Sequence, residues 1–383
     1  MNETKERKKL SFRGWFRLCP LRHILSALGA LLIAAYFLLR RNEALLDAVS
    51  AGFVRPWHRT LSKLCGSFPF SVAEALIVLA IAGALVYIIL QAALMFRRGD
   101  ALKRLYRILM TAVMAFCVIY GGFCTLWGIY FYTADFEEQS GIYAEPLSTE
   151  QLETTTRYFT ALVNEYSTQI IRDENGLFAE DMDAVFDRSA NLYDKVSEAF
   201  PFLDGPALEA KPFFFSEILS RITFTGFFFH FTAESNINLH SPDCLLPSTI
   251  AHEIAHQRGV AQEDEANFVA VLSSLESGDA AYCYSACLMA YIHLGNALYK
   301  ADYDAWADNY SDLSPDVLAD IRDNNAYWEP YRDTVVNSAA DSVYTGLLHS
   351  YGQTEGLQTY GKCIDLLVAY YYDDAAAYLS EVN

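Results

Sequence analysis

Three long apolar runs occupy the first third of the chain, at positions 24–39, 75–96 and 108–131, and none contains a charged side chain. A helix that crosses a bilayer needs about 20 mainly apolar residues. The pattern therefore predicts spanning helices at about 22–39, 75–96 and 108–131. The first run is the shortest, and it is extended by Leu21 and by Arg22 and Arg40, which can carry their charges out to the lipid headgroups. Between the first two runs, Leu45, Leu46, Val49, Phe53 and Trp57 fall near helical spacing among Arg40, Arg41, Arg55, Arg59 and Lys63. That spacing predicts an amphipathic stretch on the outer membrane surface.

Beyond position 132 the pattern changes. Ser148-Thr149-Glu150 opens a helical pattern that continues to about Ile171, and a second runs from Asp181 to Phe200 and ends at Pro201. The stretch ITFTGFFFHFTAESNINL at 222–239 is rich in Thr, Phe and Ile around a central glycine, which predicts strands or a hairpin. From Ser248 the pattern is helical again nearly to the end, with breaks near 310–315 and 352–356. The fold class is thus mainly α. A membrane domain with three transmembrane helices (1–133) is followed by an α-rich domain (134–383) with a small β-hairpin or sheet.

Charge sharpens this division. The 383 residues carry 28 Lys and Arg against 47 Asp and Glu, a net charge of −19. Residues 1–128 hold 17 basic against 6 acidic side chains, and the remainder holds 11 against 41. Basic residues mark the cytoplasmic side of a spanning segment. The tail with Lys5, Arg7, Lys8, Lys9, Arg13 and Arg17, and the loop with Arg97, Arg98, Lys103, Arg104 and Arg107, are therefore both expected inside. The chain is read as a multi-pass plasma-membrane protein with a cytoplasmic amino terminus and an extracytoplasmic acidic domain. That acidity argues against nucleic acid as a partner and leaves the lipid bilayer and a protein or peptide substrate. With 25 Phe and 25 Tyr, the chain is too apolar for disorder. Cys283 and Cys287 stand four apart in a helical run, a spacing that suits burial better than a disulfide.

The informative chemistry begins at His252-Glu253-Ile254-Ala255-His256. Two histidines four apart on a helix project from one face and can share an ion, and the intervening Glu253 can reach a water bound to it. Imidazole pairs suit Zn²⁺, and a catalytic zinc site uses three protein ligands and a water. Gly259 is placed to end the helix with a positive φ. The third ligand is expected from the next helix. Glu263 and Asn267 share a face there, so Glu263 is the preferred ligand and Asn267 the group that orients a histidine, with Glu265 as the competing ligand. Phe231 to Asn238 reads as an edge strand able to hold an extended peptide. Tyr360 is a candidate hydroxyl for stabilising an oxyanion.

HEIAH, Gly259 and EDEANFVA together resemble the gluzincin-type zinc metallopeptidases. The chain more closely resembles the bacterial membrane-protein family called domain of unknown function 3810, through the same segment, FTAESNIN before it and GLQTYGKCIDLL near the end. The resemblance implies a zincin-like fold and supplies no substrate. The leading expectation is a membrane-anchored zinc metallopeptidase with Glu253 as general base. Two other readings use the same residues: an inactive zinc-binding protein of envelope assembly, and a zinc hydrolase of non-peptide amides.

Overall fold

The structure is a computed structural model that describes residues 11–143, 147–332, 334–350 and 361–382. Helices α1 (Pro20–Leu39), α2 (Val72–Arg98) and α3 (Ala101–Leu126) are each long and apolar enough to cross a membrane. α1 crosses α3 at very short range: a Cβ on Gly121 would stand 2.8 Å from the Gly29 carbonyl oxygen, so the two backbones touch where neither carries a side chain. α3 begins seven residues before the apolar run because its first turns are amphipathic. Arg104 is buried there, bonded to Asp100 at 2.7 Å and to Gln91 at 3.1 Å. The helix also stops before the run does, and Gly128–Tyr132 continue as a 3-10 turn.

The remainder is mainly α around a small sheet. α4 (Thr149–Ser167) opens on a capping box between Ser148 and Gln151. The sheet holds β1 (Lys211–Phe213), β2 (Gly226–Phe229) and β3 (Glu234–Asn238) in the order β1-β3-β2. The first pair is parallel and the second antiparallel, with Gly226 opposite Ile237. Next come α5 (Leu246–Gln257), α6 (Glu263–Ser277), α7 (Ala280–Ala301), α8 (Val335–Ser350) and α9 (Gly361–Val382). α7 is the central post. Tyr282, Tyr284 and Leu288 on it are fully buried in one core with Phe159 of α4, Phe268 of α6 and Leu367 of α9. The eight cysteines are free thiols, and Cys283 and Cys287 are among the buried ones.

β3 differs from the edge strand expected at Phe231 to Asn238. It is central, and all five of its residues are buried although four are polar. Pairing on both sides leaves β1 and β2 as the edge strands. The polar side chains of β3 are satisfied by neighbours from two directions. Towards the spans, the Glu234 carboxylate accepts the backbone N–H groups of Val72 (3.1 Å) and Ala73 (2.8 Å), in the first turn of α2. A carboxylate there faces the positive end of the helix dipole. Ser71 donates to Asn236 Oδ1 at 2.6 Å. Lys211 Nζ lies 3.5 Å from Glu234 and donates to the carbonyls of Cys65 and Phe70. Towards the core, Ser235 donates to the Glu253 carbonyl at 2.8 Å.

Residues 43–66 form helices that pack on this sheet and its surroundings. Val54 is fully buried, Lys211 reaches the carbonyl of Cys65, and Arg59 pairs with Asp204 at 3.1 Å. The basic residues that suggested a lipid-facing stretch therefore partly serve contacts with the larger domain.

The Lys211–Glu234 pair is almost completely buried, so removing the cation leaves a carboxylate short of one partner. Lys211→Met is expected to destabilise the detergent-solubilised chain by about 3 kcal/mol in a denaturant titration. Adding Glu234→Gln, which removes the stranded charge and keeps an acceptor for α2, is expected to recover part of that loss.

Candidate metal centre

α5 carries His252 and His256 on one face, and its position is set from behind. The Tyr193 hydroxyl donates to the Ala251 carbonyl at 2.7 Å, and Ile250, Ala251, Ile254 and Ala255 are buried. The helix must then end sharply for α6 to return to the histidines. Gly259 makes that turn at φ +96°, and a Cβ there would also stand 2.9 Å from the Tyr130 ring. The turn brings the Val260 carbonyl to 2.7 Å from His256 Nδ1. Because a carbonyl only accepts, Nδ1 carries a proton, which leaves Nε2 as the nitrogen turned to Glu263 and able, once deprotonated, to take a cation.

α6 starts at Glu263, and its first turn delivers the carboxylate to both rings. Glu263 Oε2 lies 3.2 Å from His252 Nε2 and 3.6 Å from His256 Nε2. One ligand atom from each of the three lies within 4.8 Å of the others. Two imidazole nitrogens and a carboxylate oxygen converging in this way, with the tautomer of one ring already set, are a donor set that fits a divalent cation such as zinc. Tyr344 of α8 donates to Glu263 Oε1 at 2.5 Å and so restrains the carboxylate from its far side.

Glu253 stands next to these three and is not one of them. It is 4% exposed, its Oε2 has no hydrogen-bond partner, and it faces the same cleft. Burial raises its carboxyl to about 7, against the two histidines, which lower it. Burial also works to raise Glu263, but the flanking histidines prevail and hold it well below the usual carboxylate range. Gly226 at the start of β2 makes room for Glu253: a Cβ there would meet Glu253 Cγ at 2.8 Å and Oε1 at 2.9 Å.

Glu265 faces elsewhere. It accepts the Phe136 N–H at 3.1 Å and the Lys362 ammonium at 2.9 Å. Lys362 also reaches Asp135 and Glu137, so this acidic group is centred on an ammonium. Asn267 lines a cavity with His252 and Glu263 but hydrogen-bonds neither histidine; at His256 the Val260 carbonyl takes the orienting position. Tyr360 lies outside the described residues.

Two cavities meet at His252 and Glu263 and also share Thr225; His256 lines only the first. One, of about 300 Å³, has walls that include Phe123, Trp127, Phe227, Phe228 and Glu253. The Trp127 ring meets His256 edge-on at 5.6 Å. The other, of about 330 Å³, is lined by Asn267, His293, Asn324 and Trp328 among others. Tyr344, His293 and the aromatic wall were not singled out by the sequence. Tyr344 is one of 25 tyrosines and 81 positions from its partner, with no local mark. His293, one of only 8 histidines and set in an apolar helix, carried a usable signal.

The fold and cluster define a helical protein with three candidate membrane spans and a His-His-Glu centre at the end of the third. The chain belongs to the family described as Protein of unknown function (DUF3810), whose model matches residues 50–368 and so covers the whole centre. No curated protein and no solved structure matches it.

The two acidic candidates make opposite predictions. Glu263→Ala is expected to weaken zinc binding by more than about 100-fold, measured by chelator competition on the purified chain. Glu265→Ala is expected to bind zinc as the unmodified chain does, while losing stability because Lys362 and the Phe136 N–H lose a buried partner.

Proposed function

We propose that this protein is a zinc-dependent peptidase anchored in the plasma membrane, with the domain after about residue 132 outside the cytoplasm. The observation that carries the reading is the division of labour on α5: His252 and His256 converge with Glu263, while Glu253 lies beside them in the cleft. A zinc ion held by those three residues would polarise a substrate carbonyl and lower the pKa of a water molecule.

The chain's own residues do the rest. Glu253 takes a proton from the attacking water and delivers it to the leaving nitrogen. Gly226 leaves the space this carboxylate occupies, and Tyr344 holds Glu263 from behind. The Val260 carbonyl keeps the proton of His256 on Nδ1. β2 favours a peptide over other amides. Of the two edge strands it is the one that lines this cleft, and its unpaired side can hold an extended chain by backbone hydrogen bonds.

Orientation is supported by the basic tail and the basic loop after α2. It is also supported by the packing of residues 43–71 against the large domain, because α2 and α3 between them return the chain to the same face. A reporter that functions only in the cytoplasm, fused after Thr133, is expected to be silent; an active fusion would reverse the orientation.

Glu253→Gln keeps the shape of the side chain and removes the base. It is expected to retain zinc and stability while hydrolysis falls by about 10²–10⁴-fold, whereas His252→Ala is expected to lose both zinc and hydrolysis. If Glu253→Gln retains full activity, or full effect on the cell envelope, the metal is structural and the peptidase reading fails.

A further inference from the structure

The candidate metal centre is walled partly by the end of a candidate spanning helix. Phe123 lies in the last turn of the spanning helix α3 and Trp127 directly caps it, and both rings line the cleft that contains Glu253. Trp127 also touches the His256 ring. The partly exposed Tyr132 follows in the next turn, whereas Tyr130 is buried. Aromatic residues at the end of a span mark the depth of the headgroups. The candidate catalytic groups therefore lie about one side chain from the bilayer surface.

Two further features agree with this placement. The segment between β1 and β2 exposes Phe214 (82%), Phe215 and Ile218, and the backbone N–H groups of Phe214 and Phe215 are held by the Glu74 carboxylate in the first turn of α2. Large apolar side chains are thus presented to the surroundings where a second span begins, as a surface resting on lipid requires. The two cavities at the centre also draw on different parts of the chain. The one walled by α3 and β2 is aromatic, whereas the one beyond His252 and Glu263 takes no residue from the membrane third and sets Asn267, His293 and Asn324 among Leu245, Met289 and Ile292.

We propose that the substrate is a polypeptide segment at the point where it leaves the bilayer, cut next to its own membrane anchor. This inference rests on the peptidase reading and adds the substrate class. The apolar residues on the anchor side would lie against Trp127 and Phe228, and the polar residues further out would reach Asn324. The edge strand β2 along the aromatic wall favours a polypeptide over an amide-linked lipid, which has no run of backbone donors and acceptors to pair with it.

The test uses the full chain carrying Glu253→Gln, loaded with zinc in vesicles of phosphatidylethanolamine and phosphatidylglycerol. A photo-crosslinking p-benzoylphenylalanine is placed at Phe228 in one preparation and at Asn324 in another. The probe is a synthetic peptide with a Leu/Ala spanning segment of about 20 residues and a short polar tail. It is compared with the same tail free in solution and with an N-acyl amide lipid. Confinement to the membrane should favour the anchored peptide by at least about tenfold. The Phe228 position should label tail residues next to the span, and the Asn324 position residues further out. Equal labelling by the free tail, preference for the lipid amide, a reversed map or no labelling at all each overturns the inference. Cleavage of the anchored peptide is read separately with the unmodified chain. Preferential labelling without cleavage would sink the peptidase reading while leaving the membrane-proximal placement of the bound segment intact.

Discussion

A buried polar strand holds the molecule together. Four of the five residues of β3 could hydrogen-bond to water, yet all five are inside. Such groups are costly to bury unless each finds a partner, and the partners must then stay in place. Those of β3 come from two parts of the chain, the start of a candidate span and the histidine helix. Glu234 and Asn236 hold the start of α2, and Ser235 holds the backbone of Glu253 in the histidine helix. A shift of the spanning pair relative to the histidine helix would break hydrogen bonds on one side of the strand or the other. The strand thus ties the start of a candidate span to the helix that carries the candidate ligands.

The candidate metal centre adds a second constraint of the same kind. Two histidines one helical turn apart need a third ligand from another direction, and the shortest route is a tight reversal into a new helix. Gly259 allows it, and the carbonyl exposed by the reversal, at Val260, sets the His256 tautomer. The turn that delivers Glu263 thus also prepares a ligand nitrogen. Glu253 is left over because it lies on the neighbouring face of α5, where Gly226 of the edge strand β2 has no side chain to obstruct it.

Much of this was legible from local pattern. The three apolar runs locate the three long helices because lipid selects on length and charge alone, quantities that a stretch of sequence carries by itself. The convergence of His252, His256 and Glu263 was legible because helix geometry makes spacing into direction. Features that depend on pairing across the chain were not. The order of the strands places Phe231 to Asn238 at the centre of the sheet, although a central and an edge strand can share one composition. Arg59 read as a lipid-facing charge because Asp204, its partner, lies 145 positions away. Tyr344 reaches Glu263 across 81 positions. Glu265 stood as the competing ligand to Glu263, and the structure gives it to Lys362 and the Phe136 N–H instead.

X-ray absorption at the zinc edge, on the intact chain purified without chelators, tests the central claim most directly. The account predicts stoichiometric zinc with four nitrogen or oxygen neighbours at about 2.0–2.1 Å, two of them imidazoles, and no sulfur. Loss of the metal in His252→Ala should abolish the signal. A sulfur shell at about 2.3 Å, or a purified chain that takes up no zinc with all three ligands intact, would contradict it.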